Sequence, residues 1–311
     1  MKILIVANNK TEHYASFIEE QVNSLRNLGV DVDYFGVFGK GIVGYLKCLP
    51  ELNRKIRTYQ PDILHAHYGL SGLLANLQRK IPVVTTYHGS DIHSLGLNLR
   101  LSKLSMRLSA YNIFVSQYLQ DIAKYKGDNY VVQACGLDMN TIMPVNMADA
   151  RDYFGWNTDK KYILFSGSFS NYIKNVTLAQ EAIKQIKDTE LVELKGYTRV
   201  EVSMLMSACD CLLLTSFREA SPTVIKEAMA CNRPIVTTNV GDASWVIGDT
   251  DGCYITSYDA EECADKIKQA FEFSSKYLCT NGRNRIVELG LDTKTVAAKI
   301  FEIYNLIYKK S

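Results

Sequence analysis

The stretch Cys211–Gly241, CLLLTSFREASPTVIKEAMACNRPIVTTNVG, decides the fold. It opens on an apolar run, Cys211–Leu214, closes on another, Pro234–Thr237, and carries a helical period through Thr223, Val224, Glu227 and Ala230 between them. Ser221 is the expected N-cap and Pro222 the first helical residue, where a missing N–H costs nothing. Strand, short loop, helix and strand make a unit that needs a parallel sheet. The free N–H groups at such a helix start, with the positive end of its dipole, receive phosphate or another anion.

The same alternation extends in both directions. Toward the C-terminus lies a strand-like run at Cys253–Ile255 and a helix at Ala260–Phe271; toward the N-terminus lie strands at Tyr162–Phe165 and Leu191–Leu194, with helices at Leu178–Ile186 and Val200–Ala208. An earlier series runs through Lys2–Val6, Val30–Phe35, Ile63–His65, Val83–Tyr87, Asn112–Val115 and Tyr130–Val132, and its first helix, Tyr14–Leu28, closes at Gly29. The pattern predicts an α/β protein of two Rossmann-like, doubly wound parallel-sheet domains. Pro144, Asn146, Gly155 and Asn157 interrupt both periods, so the expected division is 1–143, a linker at 144–158, and 159–292. Such sheets bind ligands outside the carboxyl ends of their strands, so the chemistry is expected in strand-to-helix loops and in the cleft between domains.

Composition narrows the classes. With 47% hydrophobic and 22% charged residues the chain reads as an ordinary folded protein, and a net charge of +2 gives no reason to expect a nucleic-acid partner. The N-terminus has no leader architecture and no apolar stretch reaches membrane-spanning length, so a cytoplasmic location is expected. None of the eight cysteines forms a Cys-x2-Cys pair, which favours reduced thiols over a metal or disulfide role. No Gly-x-Gly-x-x-Gly follows the first strand, which disfavours a dinucleotide oxidoreductase.

Glu219 precedes the helix of the opening stretch and Glu227 lies in its second turn, leaning back toward the N-terminal end. Two carboxylates thus flank one anion pocket. Carboxylates repel phosphate but accept hydrogen bonds from hydroxyls, so this layout suits a ribose on one side of a diphosphate and a sugar on the other.

Glu219-x7-Glu227, followed by Ala228-Met229-Ala230, Pro234-Ile235-Val236 and Gly241, resembles the signature of the family 4, group 1 retaining glycosyltransferases of the GT-B fold. Pro61–His67 resembles that family's third strand, Thr86–Asp91 its His-Gly-x-Asp loop, and Ala134–Asp138 its segment before the crossover. The resemblance implies that Glu227 binds the donor's ribose, that Glu219 holds hydroxyls of the transferred sugar, and that Gly167, Ser168 and Lys174 line the diphosphate loop. Ser221 and the N–H groups of Thr223 and Val224 complete the donor set. Lys174 and those N–H groups would stabilise charge on the leaving diphosphate without a metal. His88 would face the donor sugar across the cleft, making His88, Glu219 and Lys174 the catalytic candidates. Asn9, Lys10, His88 and Asp91 are the acceptor-side candidates. No cofactor is implied. The donor is expected to be UDP- or GDP-linked, and the acceptor a saccharide or lipid-linked saccharide of surface polysaccharide or glycolipid assembly.

The chain departs from the family at Ser168, where arginine is usual, and in the glycine-poor first loop Ala7–Glu12; Lys10 or Arg218 could supply the lost charge. Two other readings keep the fold: a protein that binds a nucleotide sugar or a partner without turnover, and a nucleotide-sugar epimerase. The complete Glu-x7-Glu and its Ala-Met-Ala favour transfer.

His65 and His67 share one side of a strand and are expected to be structural, since no third ligand is evident. Asp31-x-Asp33 and Asp249-x-Asp251 are expected to lie in a strand and a turn without a metal. Leu97–Leu108 sets Arg100, Lys103 and Arg107 beside many leucines, which fits either an anionic membrane surface or an ordinary domain helix with a solvated basic edge. The helical period at Thr293–Tyr308 would, by the resemblance, cross back to brace the N-terminal domain.

Overall fold

The computed structural model describes residues 1–9, 13–39, 41–93 and 96–309. The chain forms two compact units, one of Met1–Gly136 with Thr293–Ser311 and one of Leu137–Asp292.

The first unit runs β1 (Lys2–Asn8), α1 (Ser16–Asn27), β2 (Asp31–Val37), α2 (Gly41–Lys47), α3 (Leu49–Tyr59), β3 (Ile63–His67), α4 (Gly69–Asn76), β4 (Val83–Tyr87), α5 (Ser90–His93), α6 (Leu97–Leu108), β5 (Tyr111–Phe114), α7 (Gln117–Ala123) and β6 (Tyr130–Val132). Its six strands lie parallel in the order β2-β1-β3-β4-β5-β6. The central strands are buried on both faces: Ile3 and Ile5 point into one core, Leu4 and Val6 into the other. That is why β1 reads as a continuous apolar run rather than an alternation.

The second unit runs α8 (Met147–Phe154), β7 (Lys161–Phe165), α9 (Val176–Ile183), β8 (Thr189–Glu193), α10 (Arg199–Ala208), β9 (Cys211–Leu214), α11 (Thr223–Ala230), β10 (Ile235–Thr238), α12 (Ala243–Ile247), β11 (Cys253–Thr256), α13 (Ala260–Tyr277) and α14 (Gly282–Glu288). Its five-stranded sheet is parallel in the order β11-β10-β9-β7-β8. The order reverses beside β7 and β9, and the loops after these two strands carry Lys174 and Glu219. The last helix, α15 (Thr293–Tyr308), returns to the first unit, where Val296, Ala297, Ile300 and Tyr304 pack with Ile18, Val22 and Leu25 of α1.

The expected linker is more structured than its composition suggests. The segment after Leu137 is fastened inside the second unit: Leu137 N–H donates to Leu291 O at 2.8 Å, and Arg283 donates to Met139 O at 2.5 Å and to Ile142 O at 2.9 Å. Asn146 and Gly155, read as interruptions, are the two ends of α8. Asn146 Oδ1 accepts from Ala148 N–H at 2.8 Å, and Gly155 closes the helix at a φ of 65°. Arg151 of this helix donates to Asp210 at 2.8 Å in a buried ion pair.

The cysteines are free thiols, with Cys209, Cys211, Cys231 and Cys263 buried. Burial pushes the Cys231 and Cys263 thiols up to about 12, so they stay protonated. Among the described residues no helix is long and apolar enough to cross a membrane.

Candidate functional site

In the second unit the donor-side candidates gather on the loops after β7 and β9. Lys174 Nζ donates to Glu219 Oε1 at 2.8 Å, and Ser216 Oγ donates to the same oxygen at 2.8 Å. Gly167 makes the lysine's path possible, because a Cβ there would lie 3.0 Å from Lys174 Cε. The two loops are also joined through backbone: Phe217 N–H donates to Ile173 O at 2.9 Å, and Thr215 Oγ1 to Lys174 O at 2.9 Å. Gly241 supports the loop from below. Its φ is +58°, and a side chain would begin 2.5 Å from Ala220 O, so residues 219 and 220 sit directly on its backbone.

The helix start differs from the expectation in one respect. The helix begins at Thr223, and Pro222, with φ −67° and ψ 111°, occupies the cap position without a side-chain cap bond. Ser221 is therefore not the N-cap. It lies one residue too early for its hydroxyl to turn onto the first N–H groups, and it accepts instead from Lys226 Nζ at 3.4 Å. The N–H groups of Thr223 and Val224 remain at the helix start, where α-helical geometry supplies no acceptor.

Glu227 is buried on the same helix and is ion-paired with Arg199 at the start of α10. Arg199 was not singled out from the sequence, because it stands at a helix start 28 residues from its partner with no local signal beyond its charge. Arg218, the proposed substitute cation, is exposed, and Lys10 lies outside the described residues. Ser168 is engaged elsewhere: its hydroxyl donates to Glu193 Oε1 at 2.8 Å, and Phe169 N–H donates to the same oxygen at 2.7 Å. These two bonds hold the Glu193 carboxyl below its usual range.

Beneath the loop lies a polar group that the sequence did not flag. Lys226 is fully buried, and Asp242, which follows Gly241, is nearly so. Burial raises the Asp242 carboxyl, while the Lys226 ammonium and the Ser221 hydroxyl pull it down. Lys226, Ser221 and Asp242 thus form a charged prop under Glu219 and Ala220.

In the first unit His88 follows β4 and Asp91 lies within α5. Asp91 Oδ1 accepts from Gly89 N–H at 2.9 Å and His88 N–H at 3.2 Å, while Oδ2 accepts from Gly69 N–H at 3.0 Å. Burial raises this carboxyl to about 6 against the pull of those N–H groups. Asp91 therefore shapes the loop from within, and it also lines a cavity of about 470 Å³ with Asn8, Tyr45, Tyr68, Asn98 and Ser102. Tyr68 enters α4 at φ 73° and ψ 149°, a backbone conformation that costs a non-glycine residue about 1–3 kcal/mol and that clusters at binding sites. Asn9, the neighbouring candidate, is tied through its N–H to Val37 O at 3.2 Å.

His65, His67 and His88 form one stack. His67 Nδ1 lies 2.9 Å from His88 Nε2, and the His88 Nδ1 lies 3.7 Å from Cys135 Sγ. The rings of Phe17 and Tyr68 flank His88, each with its centroid 4.7 Å away. His65 bonds Tyr304 OH at 2.5 Å and Thr86 Oγ1 at 2.8 Å, which ties α15 to the sheet. Among the described residues no group of three or more His, Cys, Asp or Glu is placed to hold a metal. Asp33 pairs with Lys55, and Asp31 accepts from Tyr59 OH at 3.0 Å.

Two parallel, doubly wound Rossmann-like sheets define a protein of the GT-B fold. Residues 6–140 match the sequence family described as Glycosyltransferase Family 4, and residues 188–272 match the family Glycosyl transferases group 1. The chain belongs to the family 4, group 1 glycosyltransferases. It is 25% identical over 243 residues to a Bacillus subtilis protein assigned to teichuronic acid biosynthesis, TuaC, covering 68% of this chain and 62% of that protein. It is 21% identical over 240 residues to the Campylobacter jejuni N,N'-diacetylbacillosaminyl-diphospho-undecaprenol alpha-1,3-N-acetylgalactosaminyltransferase, covering 67% of this chain and 64% of that enzyme. The chain thus spans somewhat less than two thirds of the length of these two relatives. The fold superimposes on sucrose-phosphate synthase from Thermosynechococcus elongatus with a TM-score of 0.87 over the whole of both chains at 16% identity.

Proposed function

We propose that the protein transfers a sugar from a nucleotide-sugar donor, UDP- or GDP-linked, to a hydroxyl acceptor, with retention and without a metal. The observation that carries this reading is the pairing around α11: Lys174 with Glu219 of the loop before the helix, and Arg199 with Glu227 of its second turn. Each carboxylate can accept hydroxyl donors, and in this reading the two cations supply positive charge to a diphosphate bound at the Thr223 and Val224 N–H groups. As the sugar–phosphate bond breaks, charge grows on the diphosphate, and a lysine held in place by Gly167 and Glu219 stabilises it without first having to be ordered. No enzyme carboxylate is assigned as nucleophile; the leaving phosphate helps deprotonate the acceptor. The relatives support a saccharide or lipid-linked saccharide acceptor, since one is assigned to teichuronic acid biosynthesis and another is named for an undecaprenol-linked substrate.

Thermal-shift binding against UDP, GDP, ADP and CMP sugars and the free nucleotides tests the donor site, because a ligand of the folded state raises the melting temperature. Stabilisation by one nucleotide that is lost in Glu227→Ala is expected. Stabilisation by none of them overturns the reading. The hold of Glu193 on Ser168 favours one alternative, a protein that binds a nucleotide sugar without turnover, because a carboxylate stands beside the loop where the family usually adds an arginine. Donor hydrolysis in the absence of acceptor would exclude it.

A further inference from the structure

Helix α6 is turned opposite to an ordinary surface helix. Its buried positions are Ser102, Ser105 and Met106, not its leucines. Ser102 and Ser105 pack on the glycines of α4: a Cβ on Gly69 would lie 2.2 Å from Ser102 Oγ, and one on Gly72 would lie 2.3 Å from Ser105 Oγ. This small-residue seam brings the two helices close and sends the leucines outward. Leu97, Leu104 and Leu108 are 61%, 43% and 36% exposed. With Leu101 they follow one another at intervals of four, three and four residues, a single stripe along the helix. Arg100, Lys103 and Arg107 run beside it at intervals of three and four. The helix therefore buries its polar seam and presents an apolar stripe with a basic edge.

A soluble helix normally buries its apolar face, and contiguous exposed apolar surface marks an interaction site. The neighbouring helix α2 adds exposed Val43 and Leu46 and the basic Lys47, with Phe38 just before it. Both helices border the 470 Å³ cavity, α2 through Tyr45 and α6 through Asn98 and Ser102. We infer that α6, with the tip of α2, is a membrane-docking face that seats the first unit on an anionic lipid surface, the leucine stripe in the acyl boundary and Arg100, Lys103 and Arg107 on the headgroup charge. The three cations beside the stripe select an anionic bilayer over an uncharged partner, since each basic residue near such a surface strengthens binding about fivefold. This goes beyond the transferase reading. Only the cavity's use as the mouth for a lipid-linked acceptor rests on that reading.

The test is co-sedimentation of the full chain with phosphatidylcholine vesicles, with and without phosphatidylglycerol, and no nucleotide present. The protein is expected to sediment with the anionic vesicles and to be released by salt. Leu104→Ser with Leu108→Ser should weaken binding at least tenfold with an unchanged melting temperature, because both side chains are already exposed. Arg100→Gln with Arg107→Gln should weaken it at least tenfold on anionic vesicles alone. Failure of the wild type to bind, or leucine variants that bind like wild type, overturns the proposal. A wild-type dimer in light scattering that Leu104→Ser breaks also overturns it, by assigning the stripe to a second copy of the chain. Because no sugar nucleotide is used, these outcomes are independent of whether the protein transfers sugar.

Discussion

Lys174 and Glu219 are 45 residues apart in sequence and joined at 2.8 Å in the fold, with Gly167 leaving the space through which the lysine reaches its partner. The pair places a cation and a hydroxyl acceptor at one end of α11. Replacing Lys174 by Met should lower kcat about 10²–10³-fold, the usual loss when one preorganised charge-stabilising donor is removed. Glu219→Gln should fall by a similar factor, and the double variant should lose less than the product of the two. Additive losses in steady-state kinetics would mean that the residues act independently.

Gly167→Ala should show the same dependence through packing. The new methyl meets Lys174 Cε at 3.0 Å, so the lysine must shift by a few tenths of an ångström. The expected result is a lower kcat with little change in melting temperature, read from parallel kinetics and thermal unfolding.

Arg199 is the counter-charge of a buried carboxylate. Arg199→Met leaves Glu227 without its guanidinium and should cost about 1–3 kcal/mol in urea unfolding. Glu227→Gln combined with Arg199→Met should recover part of that loss, because no uncompensated charge stays buried. Nucleotide binding should be lost in both variants.

Lys226 and Asp242 should couple in the same manner. Lys226→Met alone leaves Asp242 buried without its nearby ammonium and should destabilise the loop under Glu219. Adding Asp242→Asn should restore stability, with an interaction energy of about 0.5–3 kcal/mol in a double-mutant cycle. An additive cycle would show that the two charges are not coupled through this prop.

Stability should fall on acidification. Burial holds the His67 imidazole down at about 3 and the His65 imidazole well below its ordinary range. Their contribution is complete above the unfolded value near 6.5 and is lost as pH falls toward the folded values. Asp91 acts in the opposite direction: its carboxyl is raised to about 6, so its contribution is complete below the unfolded value near 4 and is lost as pH rises through 6. Two histidines outweigh one aspartate, so unfolding free energy should decrease from pH 6.5 to 4, and His67→Phe should flatten that slope. A rising curve over this window would show that the Asp91 contribution dominates.

The sequence by itself determined what is local and periodic. Each of the eleven runs read as strands overlaps one of the strands among the described residues, and the signal is unbroken where apolar residues are buried on both faces, as in β1, β3, β4 and β9. The two glutamates, their spacing and the helix between them were equally visible. Local punctuation misled at two places: Asn146 and Gly155 looked like interruptions but cap α8, and Ser221 looked like a cap but stands one residue too early. Tertiary structure alone decided which charges meet. Lys174 with Glu219, Arg199 with Glu227, and Lys226 beside Asp242 each join different elements, and a side chain's charge says nothing about its partner until the sheet order has brought their loops together. It also decided which face of α6 is buried. The leucine period of Leu97–Leu108 fits either an exposed or an inward stripe, and Gly69 and Gly72 admit only the serine face at close range, so Leu97, Leu104 and Leu108 turn outward.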